Sequence, residues 1–405
     1  MTDQMLSGLR VVEGSAFVAA PSGGMHLALL GADVIRFDPI GGSIDFTRWP
    51  IAPSGTSIYW TALNKGKRSI QLDVRSDEGR ELAQGIITAP GSDRGIFLTN
   101  FPARGWLSYD ELAAKRADLI MVAITGSPDG ATAVDYTVNA AVGYPLVTGP
   151  AAHTDPVNHV LPAWDVICGQ QAALGILAAE RYRNLHGAGQ LVTLALSDVA
   201  MSTAANLGHV AEAEILGEQR PRLGNDLYGA FGRDFVTSDG ERVIIIAISP
   251  KQWTSMLAAT DTTEQVDALA AELSVDFGDE GERFEHRGRL FALIESWVGS
   301  HDLATVGAAL ESHRCCWGQY RDFLGMVSND PRCSVANPMF QQVDQPGVGS
   351  VLSAGSPLRF AATGDVAVPP APVLGAHTDE VLTELLGLST SEIADLHDRG
   401  VVAGA

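Results

Sequence analysis

An aspartate stands where an extended, proline-bearing stretch turns into a long apolar helix: Asp165, in Leu161-Pro-Ala-Trp-Asp-Val-Ile-Cys-Gly-Gln170. Pro162 fits just before or at the first helical position, because its fixed φ suits that place and its missing N–H is not needed there. Asp165 then falls in the first turn, where unpaired N–H groups and the helix dipole favour an ionised carboxylate. A carboxylate held this way can attack an activated acyl group and carry it covalently. Taken alone, the pattern also fits an ordinary helix-start aspartate.

Cations that could hold an anionic substrate are scarce. The 405 residues carry 27 Lys+Arg against 48 Asp+Glu, a net charge of −21. So acidic a chain is a poor partner for nucleic acid or anionic membranes, and any polyanionic ligand must be met by a local basic cluster. The densest is Asn64-Lys-Gly-Lys-Arg-Ser69, running into Ile70-Gln-Leu-Asp73. Lys65, Lys67 and Arg68 around Gly66, with Leu72 just beyond, form a candidate phosphate clamp, although the same charges suit a solvated turn. Arg36 and the segment Asn100-Phe-Pro-Ala-Arg104 end two strand-like runs, where α/β sheets bind ligands. Phe101 can stack on a purine and Arg104 can reach phosphate; either also serves as core or surface filler.

Other chemistries leave no trace. The chain has no G-x-G-x-x-G, no G-x-x-x-x-G-K-[ST], no G-x-S-x-G and no H-E-x-x-H, which counts against a nicotinamide-dependent enzyme. Its ten histidines lack metal-ligand spacing, and Cys168, Cys315, Cys316 and Cys333 make no C-x-x-C. No metal, cofactor or disulfide is expected, and free thiols fit a reducing cytoplasm. The amino terminus has no basic n-region or apolar h-region, and no apolar run nears membrane-spanning length, so a cytosolic protein is expected.

The elements that position these residues follow from periodicity. Leu9–Glu13, Ala32–Phe37, Ile96–Thr99, Leu119–Ile124 and Leu191–Leu196 read as strands alternating with helices. That alternation predicts a doubly wound, Rossmann-like parallel sheet over residues 1–215. The helix from Asp165 to about Arg183 is apolar on most faces and ends at Gly187-Ala-Gly189; Asp198 is expected to cap the next helix. A polar stretch, Gly217–Asp226, leads into a smaller α+β domain over residues 226–325, with a hairpin turning at Ser238-Asp-Gly-Glu241. Residues 331–405 read as an extended, Pro/Gly-rich return through Pro372 that completes the large domain, followed by helices Glu380–Leu386 and Ser391–His397.

In order along the chain, these segments resemble the class III (CaiB/BaiF-type) CoA-transferase family. Gly31 to Arg36 with Asp38-Pro39 and Gly41-Gly42, Asn64 to Ser69, Asn100-Phe101, Asp165 with Gly169, Gly187 to Gln190, and Pro372 to Asp379 carry the resemblance. Each match is weak alone, and together they are specific. The resemblance implies that Asp165 carries the acyl group and then CoA. It also implies that Phe17, Val18, Ala19, Arg36, Lys65, Lys67, Arg68, Leu72, Asn100, Phe101 and Arg104 surround the acyl-CoA, the one substrate, with no other cofactor. Two chains are expected to interlock as a homodimer. Backbone amides of Phe17–Ala20 are the expected oxyanion donors.

Within the family, Val11–Pro21, Asn100–Trp106 and Leu227–Phe235 resemble members that move CoA between the two carboxyl groups of one substrate. Intermolecular members often place a Gln where Val18 stands and a polyglycine loop where this chain has Ile246-Ala-Ile-Ser-Pro250. Racemases place a His beside an acid at Val134-Asp135, and Val134 cannot move a proton. Transfer from a donor such as succinyl-CoA to another dicarboxylate, or acyl-CoA binding without catalysis, are the alternatives. Arg48 and Arg233 are candidates for a distal carboxylate on charge alone.

Overall fold

The computed structural model describes residues 4–364 and 366–405. The aliphatic runs pair into one seven-stranded sheet. Its strands β1 (Arg10–Gly14), β2 (Asp33–Asp38), β3 (Arg68–Leu72), β4 (Ile96–Thr99), β5 (Ile120–Thr125) and β6 (Gln190–Ala195) are parallel. The two-residue strand Val402–Ala403 closes the β3 edge in antiparallel register, Val402 opposite Leu72. From that edge the order is β3-β2-β1-β4-β5-β6, the doubly wound arrangement of a Rossmann sheet. Strand order reverses between β1 and β4, so the crevice beyond their carboxyl ends is where such a sheet presents a ligand.

β3 is the strand that patterning missed, because it lies inside the basic segment read as a phosphate clamp. Ser69, Ile70, Gln71 and Leu72 are buried, and the polar ones find tertiary partners. Gln71 accepts the Gly41 amide at 2.9 Å and donates to Gly404 O at 2.8 Å. A strand whose polar groups are satisfied at long range reads locally as a loop.

Two helices set the site. One, Ala19–Ala28, follows β1; the other, Ala163–His186, runs from Pro162 to the left-handed Gly187. They approach backbone to backbone. A Cβ at Gly169 would stand 2.0 Å from Ser22 Oγ and 2.6 Å from Ala19 O, so only glycine permits this spacing. Asp165, one turn before Gly169, is thereby brought toward the loop after β1. The next helix begins at Leu196, so Asp198 lies in its first turn and is not its cap.

The chain divides into two units: residues 4–142, 159–215 and 331–405 with the large sheet, and residues 143–158 and 216–330. The excursion Gly143–Asn158 clusters with the second unit although it precedes the Asp165 helix in sequence. Arg222 accounts for this, donating to the carbonyls of Pro145, Leu146 and Asp155. The second unit pairs Phe231–Val236, Arg242–Ala247 and Cys316–Gln319 in an antiparallel sheet, against helices that bury Trp253 and Phe291. In the first unit, the return segment folds a hairpin, Phe340–Gln345 with Gly349–Ala354, where the sequence indicated only extended chain. Among the described residues, no helix is long and apolar enough to cross a membrane.

Candidate active site

Asp165 is the third residue of its helix, as the proline implied, but it does not cap that helix. Asp135, the first residue of the helix Asp135–Ala141, does so: its Oδ2 accepts the amides of Trp164 at 2.8 Å and Asp165 at 3.0 Å. One turn along, Asn139 Oδ1 accepts Trp164 Nε1 at 3.1 Å. Asp135 is 2% exposed, and its Oδ1 is buried without a hydrogen-bond partner among the described residues. With the first-turn amides occupied, the Asp165 carboxyl gains nothing from them. Burial, and next the charge of Asp135, push its pKa up to about 7, in place of the readily ionised group expected from the helix start. Asp135 was not legible in the sequence as a partner, because a separation of thirty residues carries no local pattern.

A carboxyl poised near neutrality is half ionised at about pH 7, and more basic than a solvated aspartate. If Asp165 reacts as a carboxylate, kcat/KM should rise with pH through about 7. In Asp135→Asn the amide oxygen still accepts both N–H groups while the neighbouring charge is gone, so that limb should move to lower pH. A limb left in place would show that the Asp135 charge does not act on Asp165. One turn beyond, the Cys168 thiol is pushed up to about 12 by burial and then by Asp165, so it stays protonated at neutral pH.

The loop after β1 faces the same crevice. Asn100, at the end of β4, locks it from both sides: its Oδ1 accepts the Ala16 amide at 2.9 Å and its Nδ2 donates to Ala16 O at 2.7 Å. Phe17 then adopts φ 66°, a conformation unfavourable for a bulky side chain, with its amide donated to Asp45 Oδ2 at 2.9 Å. That amide is therefore taken, and of the expected oxyanion donors the amides of Val18, Ala19 and Ala20, at the helix start and without an intrahelical acceptor, are left. Val18 and Ala19 are buried, whereas the Phe17 ring is 38% exposed.

The Arg48 guanidinium lies 5.5 Å from the Phe17 ring centroid and 5.3 Å from that of Tyr59. Burial pushes the Tyr59 phenol up to about 12; Arg48 opposes this, and Asp165 and Asp45 add to it. Tyr59 is thus a neutral donor in the electrostatic reach of both Arg48 and Asp165. Sequence reasoning did not single it out, since a tyrosine early in a short helix carries no signal of its own. The other candidate for a distal carboxylate, Arg233, belongs to the second unit, over Phe291 and loosely paired with Asp226.

The cations of the basic cluster have partners within the fold. Lys67 Nζ donates to Glu13 Oε1, Pro21 O and Asn64 Oδ1, each at 2.8 Å, and its side chain is fully enclosed. Burial pulls its ammonium down to about 8 while Glu13 pulls it up, so it remains charged at neutral pH. Arg36 is equally enclosed, donating to Asp38, Asp45 and Asn64. Arg68 is spent on Asp33, Glu380 and Glu384. Lys65 is half-buried and donates to Ala354 O at 2.6 Å, and Leu72 is wholly inside the core. Lys67, Arg36 and Arg68 are thus engaged within the fold, whereas the Lys65 ammonium makes one hydrogen bond and keeps further donors. Phe101 packs edge-on against Phe37, centroids 6.4 Å apart, and is half-buried. Arg104 is exposed and has no carboxylate partner among the described residues.

Comparison with known proteins places these features in a family. A family model for CoA-transferase family III matches residues 6–378. The chain is 55% identical over 401 residues to a 2-methylfumaryl-CoA isomerase from Chloroflexus aurantiacus, covering 99% of this chain and 98% of that one. It is 28% identical to a succinyl-CoA:mesaconate CoA-transferase from Haloarcula hispanica, covering 96% of this chain and 98% of the relative. Among solved structures, a CAIB/BAIF family protein from Brucella suis superposes with a TM-score of 0.77 at 26% identity, covering 95% of this chain and all of that one.

Proposed function

The chain belongs to CoA-transferase family III, and from that premise we propose that it moves CoA within one substrate, converting 2-methylfumaryl-CoA to 3-methylfumaryl-CoA. The observation that carries this reading is the 55% identity over 99% of the chain to a relative of that activity, against 28% to a relative that uses two substrates. The Asp165 carboxylate attacks the C1 thioester carbonyl, CoA leaves as thiolate, and a mixed anhydride remains. The thiolate attacks the aspartyl carbonyl, giving an aspartyl-CoA thioester and free 2-methylfumarate. The diacid turns, its C4 carboxylate attacks that thioester, and the thiolate is expelled again. Thiolate attack on the C4 carbonyl of the new anhydride then releases product and regenerates Asp165. No water or net proton is consumed, and covalent catalysis divides one hard exchange into easier steps.

The same site supports two further readings of the whole protein. An interlocked homodimer accounts for a helix, His209–Leu216, that buries none of its residues in the single chain although Ile215 is 80% exposed. Four cysteines held as thiols support a cytosolic place of work.

Intramolecular transfer requires that the freed diacid stay beside the aspartyl thioester at high effective concentration, so that recapture outruns escape. Given 2-methylfumaryl-CoA alone, the protein should form the 3-methyl isomer at full rate. Isotopically labelled free 2-methylfumarate in excess should enter product slowly relative to turnover. Rapid incorporation, or a strict need for an added acid, would make this a two-substrate transferase.

A further inference from the structure

We propose that Arg48 is the receptor for the free carboxylate of the acyl group, which makes esters of dicarboxylic acids, and not simple acyl-CoA esters, the substrate class of this site. The inference rests on the function proposed above and concerns what selects its substrate.

Arg48 differs from Arg36 and Arg68. Arg36 and Arg68 are neutralised by two or more carboxylates each, whereas no carboxylate among the described residues lies within ion-pair distance of the Arg48 guanidinium. What holds it instead is two aromatic rings, Phe17 and Tyr59. Aromatic faces orient a guanidinium without cancelling its charge; one N–H is shared with the Tyr59 hydroxyl, and the others are left to meet a planar anion. Arg48 is exposed, and in a chain of net charge −21 an unneutralised cation opposes the prevailing field.

Both supports are tied to the reaction centre. Phe17 belongs to the loop at the switch point of the sheet, fixed by Asn100 and Asp45 in its left-handed conformation. Tyr59 belongs to the short helix Ile58–Leu63, capped by Ser57, whose hydroxyl accepts the Trp60 amide and donates to the Arg48 carbonyl. The backbone of Arg48 is thus fastened to the first turn of the helix that carries Tyr59. Tyr59 in turn lies in the field of both Arg48 and Asp165. Phe17 leads into the helix that Gly169 packs against, one turn from Asp165, so Arg48 on the Phe17 ring can hold one charged end of a short diacid while the other reacts. When the diacid turns, the carboxylate just released from acyl linkage takes the place at Arg48.

The test compares Asp165 acylation by two probes, 2-methylfumaryl-CoA and 2-butenoyl-CoA, which lacks the second carboxylate. The readout is the rate of hydroxamate formation on Asp165 in the presence of hydroxylamine, for wild type, Arg48→Gln and Arg48→Lys. Wild type should favour the dicarboxylic ester, and Arg48→Gln should lose about a hundredfold on that ester alone, collapsing the preference. Arg48→Lys should recover part of it, because charge returns without the bidentate fork. Equal losses on both esters, or a preference that survives in Arg48→Gln, would overturn the assignment. A wild-type protein that forms no Asp165 hydroxamate with either ester would overturn the proposed function, and this inference with it.

Discussion

Asp165→Ala and Asp165→Asn should each lose at least about a thousandfold in turnover, because removing the nucleophile closes the covalent route and does not merely weaken a contact. The fold should survive both changes. Asp165 is only partly buried, and the amides at its helix start are satisfied by Asp135, not by its own side chain. Stability should even move the other way. A folded-state pKa raised from 3.8 to about 7 means the folded protein holds a proton that the unfolded chain has released, so ionising Asp165 costs stability as pH rises between those values. The neutral asparagine escapes that cost. Asp165→Asn should therefore gain on wild type in denaturant midpoint as pH is raised from about 4 to 7, and hold the gain above. Retention of about a tenth of wild-type turnover in either variant would remove Asp165 from the mechanism.

Lys67→Met should be the most destabilising single change in the basic segment, by about 3–5 kcal/mol, because it strands the fully buried Glu13 carboxylate. Glu13 Oε1 would keep the Ser15 hydroxyl at 2.7 Å and a long ion pair to Arg36 at 3.9 Å, and its Oε2 already has no hydrogen-bond partner among the described residues. The double variant Glu13→Leu with Lys67→Met should recover much of the loss, since replacing both charges removes the stranded one. Denaturant unfolding with an unchanged m-value measures the difference. The contrasting outcome is a Lys67→Met protein of wild-type stability with a raised KM for the CoA ester. That result would restore the lysine to phosphate binding and require this segment to open.

The strands that sequence revealed are those dominated by adjacent apolar residues. Ile96–Thr99 and Ile120–Thr125 lie in the middle of a parallel sheet covered on both faces, so their character is written in four to six adjacent residues. Asp165 was legible for a similar reason: Pro162 marks its helix start from three residues away. Gly169 was legible only as a helix glycine; the approach of Ser22 and Ala19 that requires it is a tertiary fact. β3 and the cations before it were misread because their partners, Glu13, Asp33 and Glu384, come from distant parts of the chain. Charge alone cannot tell a cation that meets solvent from one that meets a buried carboxylate. Asp135 and Tyr59 escaped notice on the same ground, since each acts on Asp165 only through the fold.

The central claim is that Asp165 carries CoA, and trapping that thioester tests it most directly. Protein mixed with 2-methylfumaryl-CoA and no other acid, then quenched with hydroxylamine and digested, should yield a peptide spanning Leu161–Gln170 with a hydroxamate at Asp165. The modification should depend on substrate and be absent from Asp165→Asn. Full-rate isomerisation with no hydroxamate at Asp165, or with one at a different carboxylate, would contradict the account.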